Sequence, residues 1–179
     1  MRKVTLIFGL LAGVIISVLM SLGIALSENG VITFDFGELV GYASMVIALS
    51  MIFFGIKSYR DNHQKGAINF WKGIQVGLLI ALIAALIYAI TWETYLQSRP
   101  AGSTSFMEKY ADSVINKMKR EGASADKIDQ AIKKMDDMKK MYQNPLIRFG
   151  ITIMEILPVG IIVTLISAAL LRKKELLPA

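Results

Sequence analysis

Between Trp71 and Trp92 the chain reads Trp71-Lys72-Gly73-Ile74-Gln75-Val76-Gly77 and then runs almost wholly apolar through Tyr88 to Thr91-Trp92. Wound as an α-helix at about 1.5 Å per residue, the two tryptophans stand about 31 Å apart, which is the hydrocarbon thickness of a bilayer. Tryptophan favours the headgroup level, so the stretch is expected to span a membrane with an aromatic anchor at each interface. Gly73, Gly77, Ala81 and Ala85 recur every four residues and fall on one helix face. Such a face lets a second helix approach closely.

Three further blocks have the same character. Val4 to Leu26 carries no charge, and its length exceeds the apolar core of about 7–15 residues found in a signal peptide, so it is expected to remain as a span. Gly9 and Gly13 form a GxxxG pair within it, and Ser17 and Ser21 continue that face. A second block runs from about Phe36 or Leu39 to Ile56, and a fourth from Leu146 to Leu171, with Gly160, Thr164 and Ala168 as its small face. Asp35-Phe36-Gly37-Glu38 has the spacing of a capping box at the start of the second helix. The expected spans are therefore about 4–26, 36–56, 71–92 and 146–171. Removing them leaves no soluble domain of ordinary size.

Composition narrows the chemistry. The 179 residues include no cysteine and one histidine, His63. Disulfides, thiolate metal sites and cysteine nucleophiles are excluded, and a histidine-based metal site or charge-relay triad lacks its parts. No phosphate-cradling glycine loop and no nucleophile elbow occurs, so enzyme activity is not expected, nor is a cofactor. The net charge of +6 is expected to express the positive-inside bias of a membrane protein rather than nucleic-acid binding. Arg2-Lys3, the segment Lys57 to Lys72 and Arg172-Lys173-Lys174 are basic, whereas Ser27 to Gly37 carries Glu28 and Asp35 and no basic residue. This pattern places both termini and the Lys57–Lys72 loop in the cytoplasm. Basic residues beside Tyr59, Phe70 and Trp71 could also touch anionic lipid heads, although topology alone accounts for them.

Residues 93–145 form a polar insertion between the third and fourth spans. Phe106, Tyr110, Val114 and Met118 recur every four residues, Gly122 is placed to close that helix, and Ser124 to cap the next. Ile128, Ala131, Met135, Met138 and Tyr142 then line one face of a second helix. The insertion is expected to be an extracytoplasmic amphipathic αα-hairpin, packed on itself, on the span ends or on lipid. Its ten basic residues from Arg99 to Lys140 are interspersed with seven acids, and long segments translocate with little regard to charge. Met135, Met138 and Met141 resemble a thioether copper site by spacing, but Lys139 and Lys140 would repel a cation, and methionine is a common filler of helical faces. Asn144-Pro145 is expected to start the last helix.

Glu155 is the sharpest anomaly, an acid inside the fourth apolar block with Pro158 three residues on. An intramembrane carboxylate is costly unless it meets a partner or water, and Pro158 frees the carbonyl of Met154. Together they resemble the chemistry of a proton or cation site; the alternative is a kinked helix with Glu155 buried protonated or bonded to a neighbour. Thr152, Tyr88, Thr91, Ser44 and Tyr42 are candidate partners by depth, and Arg148 stands seven residues earlier on the same face. The candidate polar site is thus Glu155, Pro158, Arg148 and Thr152. The candidate packing residues are Gly9, Gly13, Gly73, Gly77, Ala81 and Gly160.

Gly55-Ile56-Lys57-Ser58-Tyr59-Arg60-Asp61, Phe70-Trp71-Lys72-Gly73, the hairpin, and Tyr142-Gln143-Asn144-Pro145 leading to Thr152-Ile153-Met154-Glu155-Ile156-Leu157-Pro158-Val159-Gly160 together give the chain a family likeness. It resembles, over essentially its whole length, an uncharacterised family of small bacterial four-span membrane proteins known only as a domain of unknown function. The resemblance implies this architecture and a bacterial origin; it implies no activity and no functional residue. The expectation is an all-α integral membrane four-helix bundle with an extracytoplasmic hairpin, in a bacterial inner membrane. Its expected role is that of an accessory or interaction protein, with lipid, another copy or another membrane protein as partner. The alternative is a small oligomeric transporter or channel that uses Glu155.

Overall fold

The computed structural model describes residues 1–29, 31–32, 34–98 and 102–173. These form helices α1 (Arg2–Glu28), α2 (Phe34–Leu49), α3 (Met51–His63), α4 (Phe70–Gln97), α5 (Gly102–Arg120), α6 (Ala125–Tyr142) and α7 (Pro145–Leu171). No strand occurs among the described residues. Four stretches are long and apolar enough to cross a membrane: Arg2–Ser27, Phe36–His63, Phe70–Gln97 and Pro145–Leu171. The fold is an all-α membrane helical bundle.

Helices α2 and α3 form one long stretch with a break at Ser50, and the helix runs on past Ile56 to His63. Ser50 Oγ donates to Ile47 O at 2.6 Å, the side-chain back-bonding that bends a helix. Helix α2 begins at Phe34, so Asp35 lies inside the helix rather than at its cap; its side chain lies outside the described residues. At the end of α3, Lys65 and Gly66 take positive φ, which turns the chain so that Gly66 N donates to Arg60 O at 3.0 Å. Asn69 then caps α4, its side chain accepting from Lys72 N at 2.7 Å. Asn144 caps α7 in the same way, with Pro145 in the first turn. Gly122 closes α5 with a φ of +75°.

Helix α4 is the most buried of the four spans, and α1 and α7 pack along it. Both seams are ladders of small residues. A Cβ added at Gly9 would meet Ile83 at 2.7 Å, one at Gly13 would meet Ile87, and Ser17 Oγ lies 2.9 Å from Thr91 Oγ1. Each step is four residues forward on both helices, so α1 and α4 run parallel. On the other side a Cβ at Gly73 would meet Ala168 at 3.0 Å, one at Gly77 would meet Thr164 at 2.5 Å, and one at Gly160 would meet Ala81 at 2.9 Å. Here four residues forward on α4 match four back on α7, so these helices are antiparallel. With no apolar driving force between helices in lipid, such close approach supplies the packing contacts that hold spans together.

One end of the bundle collects Arg2, Lys3, Lys57, Arg60, Lys65, Lys72, Arg172 and Lys173. Ile68 and Lys173 exchange backbone hydrogen bonds of 3.1 Å there, and Arg60 Nη1 reaches Leu171 O at 3.5 Å. The other end carries the hairpin of α5 and α6, which folds back onto the spans. Trp92, Leu96, Met107 and Tyr142 form a buried cluster there, joined by Met20 and Ile24 of α1, Phe106 of α5, Met138 of α6 and Ile151 of α7.

Candidate functional site

The small-residue face of α4 continues from Ala81 through Ala85 and Ala89 to Glu93, and that of α7 runs back from Gly160 through Ile156 and Thr152 to Arg148. Both rows keep their step of four, so the register that sets Gly77 on Thr164 also sets Glu93 on Arg148. The guanidinium meets the carboxylate as a fork. Arg148 Nε donates to Glu93 Oε2 at 2.7 Å, and Nη2 donates to Oε1. Gln97 Nε2 also donates to Oε1, at 2.8 Å. The remaining guanidinium nitrogen, Nη1, donates to Tyr142 O at 2.8 Å. That carbonyl belongs to the last turn of α6, where a cation offsets the negative end of the helix. The Arg148 guanidinium carbon also lies 5.6 Å from the centre of the Tyr142 ring.

One arginine therefore ties together α7, α4 and the end of the hairpin. Its side chain is 5% exposed and that of Glu93 16%. Charges withdrawn this far from water persist only when paired and fully hydrogen-bonded, and the four contacts on this pair meet that demand.

An aromatic cluster surrounds the pair. Trp92 Nε1 donates to Tyr142 Oη at 2.7 Å. The Phe106 ring stands edge-on to Trp92 with centroids 4.9 Å apart, and Tyr95 stacks on Trp92 at 5.5 Å. Trp92 is 9% exposed whereas Trp71 is 73% exposed. Only Trp71 has the exposure of an interfacial anchor; Trp92 is roofed by the hairpin, whose Tyr142 satisfies its N–H. Burial pushes the Tyr142 phenol up to about 12, against the opposing pull of the Trp92 donor. Burial, with Glu38 and Glu155 nearby, also raises the Tyr110 phenol.

Glu155 stands apart from this lock. It is exposed on α7, and its carboxylate is an electrostatic neighbour of Tyr88 on α4, Tyr110 on α5 and Tyr142 on α6. No hydrogen bond or ion pair reaches it among the described residues. Arg148 is not its partner: two residues seven apart on a helix are separated by about 10.5 Å along the axis, and Arg148 is committed to Glu93. Other hydroxyls at similar depth are committed elsewhere. Thr152 Oγ1 donates to Arg148 O at 3.0 Å, Thr91 pairs with Ser17, and Ser44 Oγ donates to Val40 O at 2.7 Å. Pro158 lies inside α7, which remains one helix across it. Glu155 and Pro158 are thus neighbours on one helix, and Arg148 and Thr152 belong to the seam with α4.

Sequence reasoning made Glu93 the first residue of the polar insertion and missed its pairing. The signal was present, because stepping by four from Gly73 arrives at Glu93 and stepping back by four from Ala168 arrives at Arg148. The methionines of α6 do not converge on one point: Met135 is buried, Met138 packs on the Trp92 cluster, and Met141 is 49% exposed.

Comparison with curated proteins and with solved structures gave no match. A family model described as a protein of unknown function (DUF4199) matches residues 7–173, and the chain belongs to that family.

Proposed function

We propose that this member of the DUF4199 family is an accessory or interaction protein of a bacterial inner membrane, with both termini in the cytoplasm and the hairpin on the opposite side. The observation that carries the reading is the lock on the hairpin. Connections between neighbouring antiparallel helices need about 2–8 residues. Here two amphipathic helices are held on the spans by Arg148, Glu93 and the Trp92–Tyr142 hydrogen bond. The hairpin's outward face exposes Lys133, Lys134, Asp136, Asp137 and Lys140. A charged platform tied to the span ends suits recognition of another protein. Solubilising the tagged full chain gently from its native membrane, followed by mass and composition analysis, tests the reading. A foreign partner in fixed stoichiometry is expected. A homogeneous oligomer of this chain alone would overturn it.

A second reading rests on Glu155, an acid within the apolar Pro145–Leu171 stretch, in electrostatic reach of Tyr88, Tyr110 and Tyr142 and with no bonded partner among the described residues. In it the protein is a small oligomeric transporter or channel with Glu155 as proton or cation site. It predicts that Glu155→Gln abolishes ion-dependent flux in proteoliposomes while the helical content is kept. Flux unchanged by that substitution ends it.

A further inference from the structure

At the basic end, helices α1 and α3 leave a groove of about 520 Å³, lined by Phe8, Met51, Phe54, Lys57, Ser58, Asp61 and Asn62. Its two halves differ in chemistry. Phe8, Met51 and Phe54 are apolar and lie on the membrane-spanning parts of the two helices; Lys57, Ser58, Asp61 and Asn62 follow within the next two turns of α3. The groove therefore passes from hydrocarbon-like to polar along one direction, as a phospholipid does. Gly55 helps to shape it: a Cβ there would meet Phe8 at 3.1 Å, so the glycine lets the Phe8 ring sit against α3.

The charges decide the headgroup. Asp61 would repel a phosphate, but its Oδ1 accepts from Arg60 Nε at 2.7 Å, and that pair is neutral. Lys57 and Lys173 both lie within electrostatic reach of Asp61. Lys57 is exposed and makes no ion pair within 4.0 Å among the described residues. Ser58 hydroxyl accepts from Asn62 Nδ2 at 3.3 Å, which leaves its own proton free to donate. The polar half thus offers one uncompensated cation and a hydroxyl donor, in a region whose remaining charges are mostly basic.

We propose that this groove holds one phospholipid with an anionic headgroup, its phosphate on Lys57 and Ser58 and one acyl chain along Phe8, Met51 and Phe54. A lysine near a membrane surface strengthens attraction to anionic lipid several-fold, and the apolar floor adds contacts that a diffuse basic surface does not have. The site is independent of the hairpin and of Glu155.

The test is native mass spectrometry of the full chain in detergent, titrated with phosphatidylglycerol or phosphatidylcholine of the same acyl chains. The wild-type protein is expected to retain one phosphatidylglycerol in preference to phosphatidylcholine. Lys57→Gln is expected to weaken that retention about five-fold or more, while Lys72→Gln, at the same end but outside the groove, leaves it unchanged. Met51→Trp fills the apolar half and is expected to weaken retention with every charge intact. Equal retention of the two lipids overturns the proposal, as does equal loss in Lys57→Gln and Lys72→Gln, which would mean diffuse attraction only. If Lys57→Gln does not fold, the lipid preference and Met51→Trp decide: undiminished retention in Met51→Trp overturns the site.

Discussion

Arg148 on α7 and Glu93 on α4 meet as a fork at the hairpin end of the same seam that brings Gly77 against Thr164 and Gly160 against Ala81. The pair is thus the last rung of a packing ladder rather than an isolated surface ion pair. It also fixes the hairpin, because the third guanidinium nitrogen holds the carbonyl of Tyr142.

Arg148 is buried and Glu93 half-buried, and removing one member leaves the other's charge-assisted hydrogen bonds unmade, at a cost of about 1.5–3 kcal/mol. Arg148→Ala and Glu93→Ala are each expected to destabilise the protein by that order in detergent unfolding experiments. The double variant should lose less than the sum, since neither charge is then left alone. A change below about 0.5 kcal/mol in Arg148→Ala would mean that the pair is not formed.

The ladder makes opposite predictions for two glycines. Gly77→Ala drives a methyl to 2.5 Å from Thr164 and 3.1 Å from Ile52, and such overpacking costs about 1–3 kcal/mol. Gly41 on α2 has nothing within 4 Å of its Cβ position, so Gly41→Ala should be neutral or gain up to about 1 kcal/mol from helix propensity. Thermal denaturation of both variants checks the signs. Equal behaviour of the two would show that α4 and α7 do not approach so closely.

The Tyr142 phenol gives a pH signature. Its folded value is about 12, above the ordinary value of about 10, so the folded chain holds this proton more tightly than the unfolded chain. The associated stability is complete below about pH 10 and is lost as pH rises through about 12. Tyrosinate absorbance in detergent should show a late-ionising phase, and Tyr142→Phe should lower its amplitude by one tyrosine. The same variant deprives Trp92 Nε1 of its acceptor, at a cost of about 1–3 kcal/mol for a buried donor left unmade. A titration unchanged by Tyr142→Phe would place that hydroxyl in water.

The proposed threading is tested with introduced cysteines, because the chain has none of its own. Asp129 on the hairpin and His63 at the basic end are both exposed. In intact spheroplasts Asp129→Cys should react with an impermeant thiol reagent and His63→Cys only after lysis. The reverse pattern would invert the orientation.

The spans were legible because lipid imposes its requirement locally. A helix must supply about twenty apolar residues in a row whatever its neighbours are, and the stretches Arg2–Ser27, Phe70–Gln97 and Pro145–Leu171 announce themselves on that ground alone. The small-residue faces were legible too, since spacing of four is a property of one helix. Helix capping was legible at Asn144 and Gly122, where one residue's side chain or φ suffices, but not at Asp35, where the helix starts a residue earlier.

Pairing across helices was a different matter. Arg148 and Glu155 share a face of one helix and invite association, yet a seven-residue separation keeps them apart, and Glu93 lies 55 residues away in the chain. Trp92 has the sequence position of an interfacial anchor and is instead covered by a hairpin that begins after it. The sequence by itself determined the spans, their small-residue faces and the amphipathic hairpin, because each depends on spacing along one chain segment. Only the tertiary structure decided which charge Arg148 meets, that Trp92 is roofed, and that Glu155 has no bonded partner among the described residues. Those outcomes depend on the register of α4 against α7 and on where the hairpin lands, and burial and charge pairing are properties of that assembly rather than of any one segment.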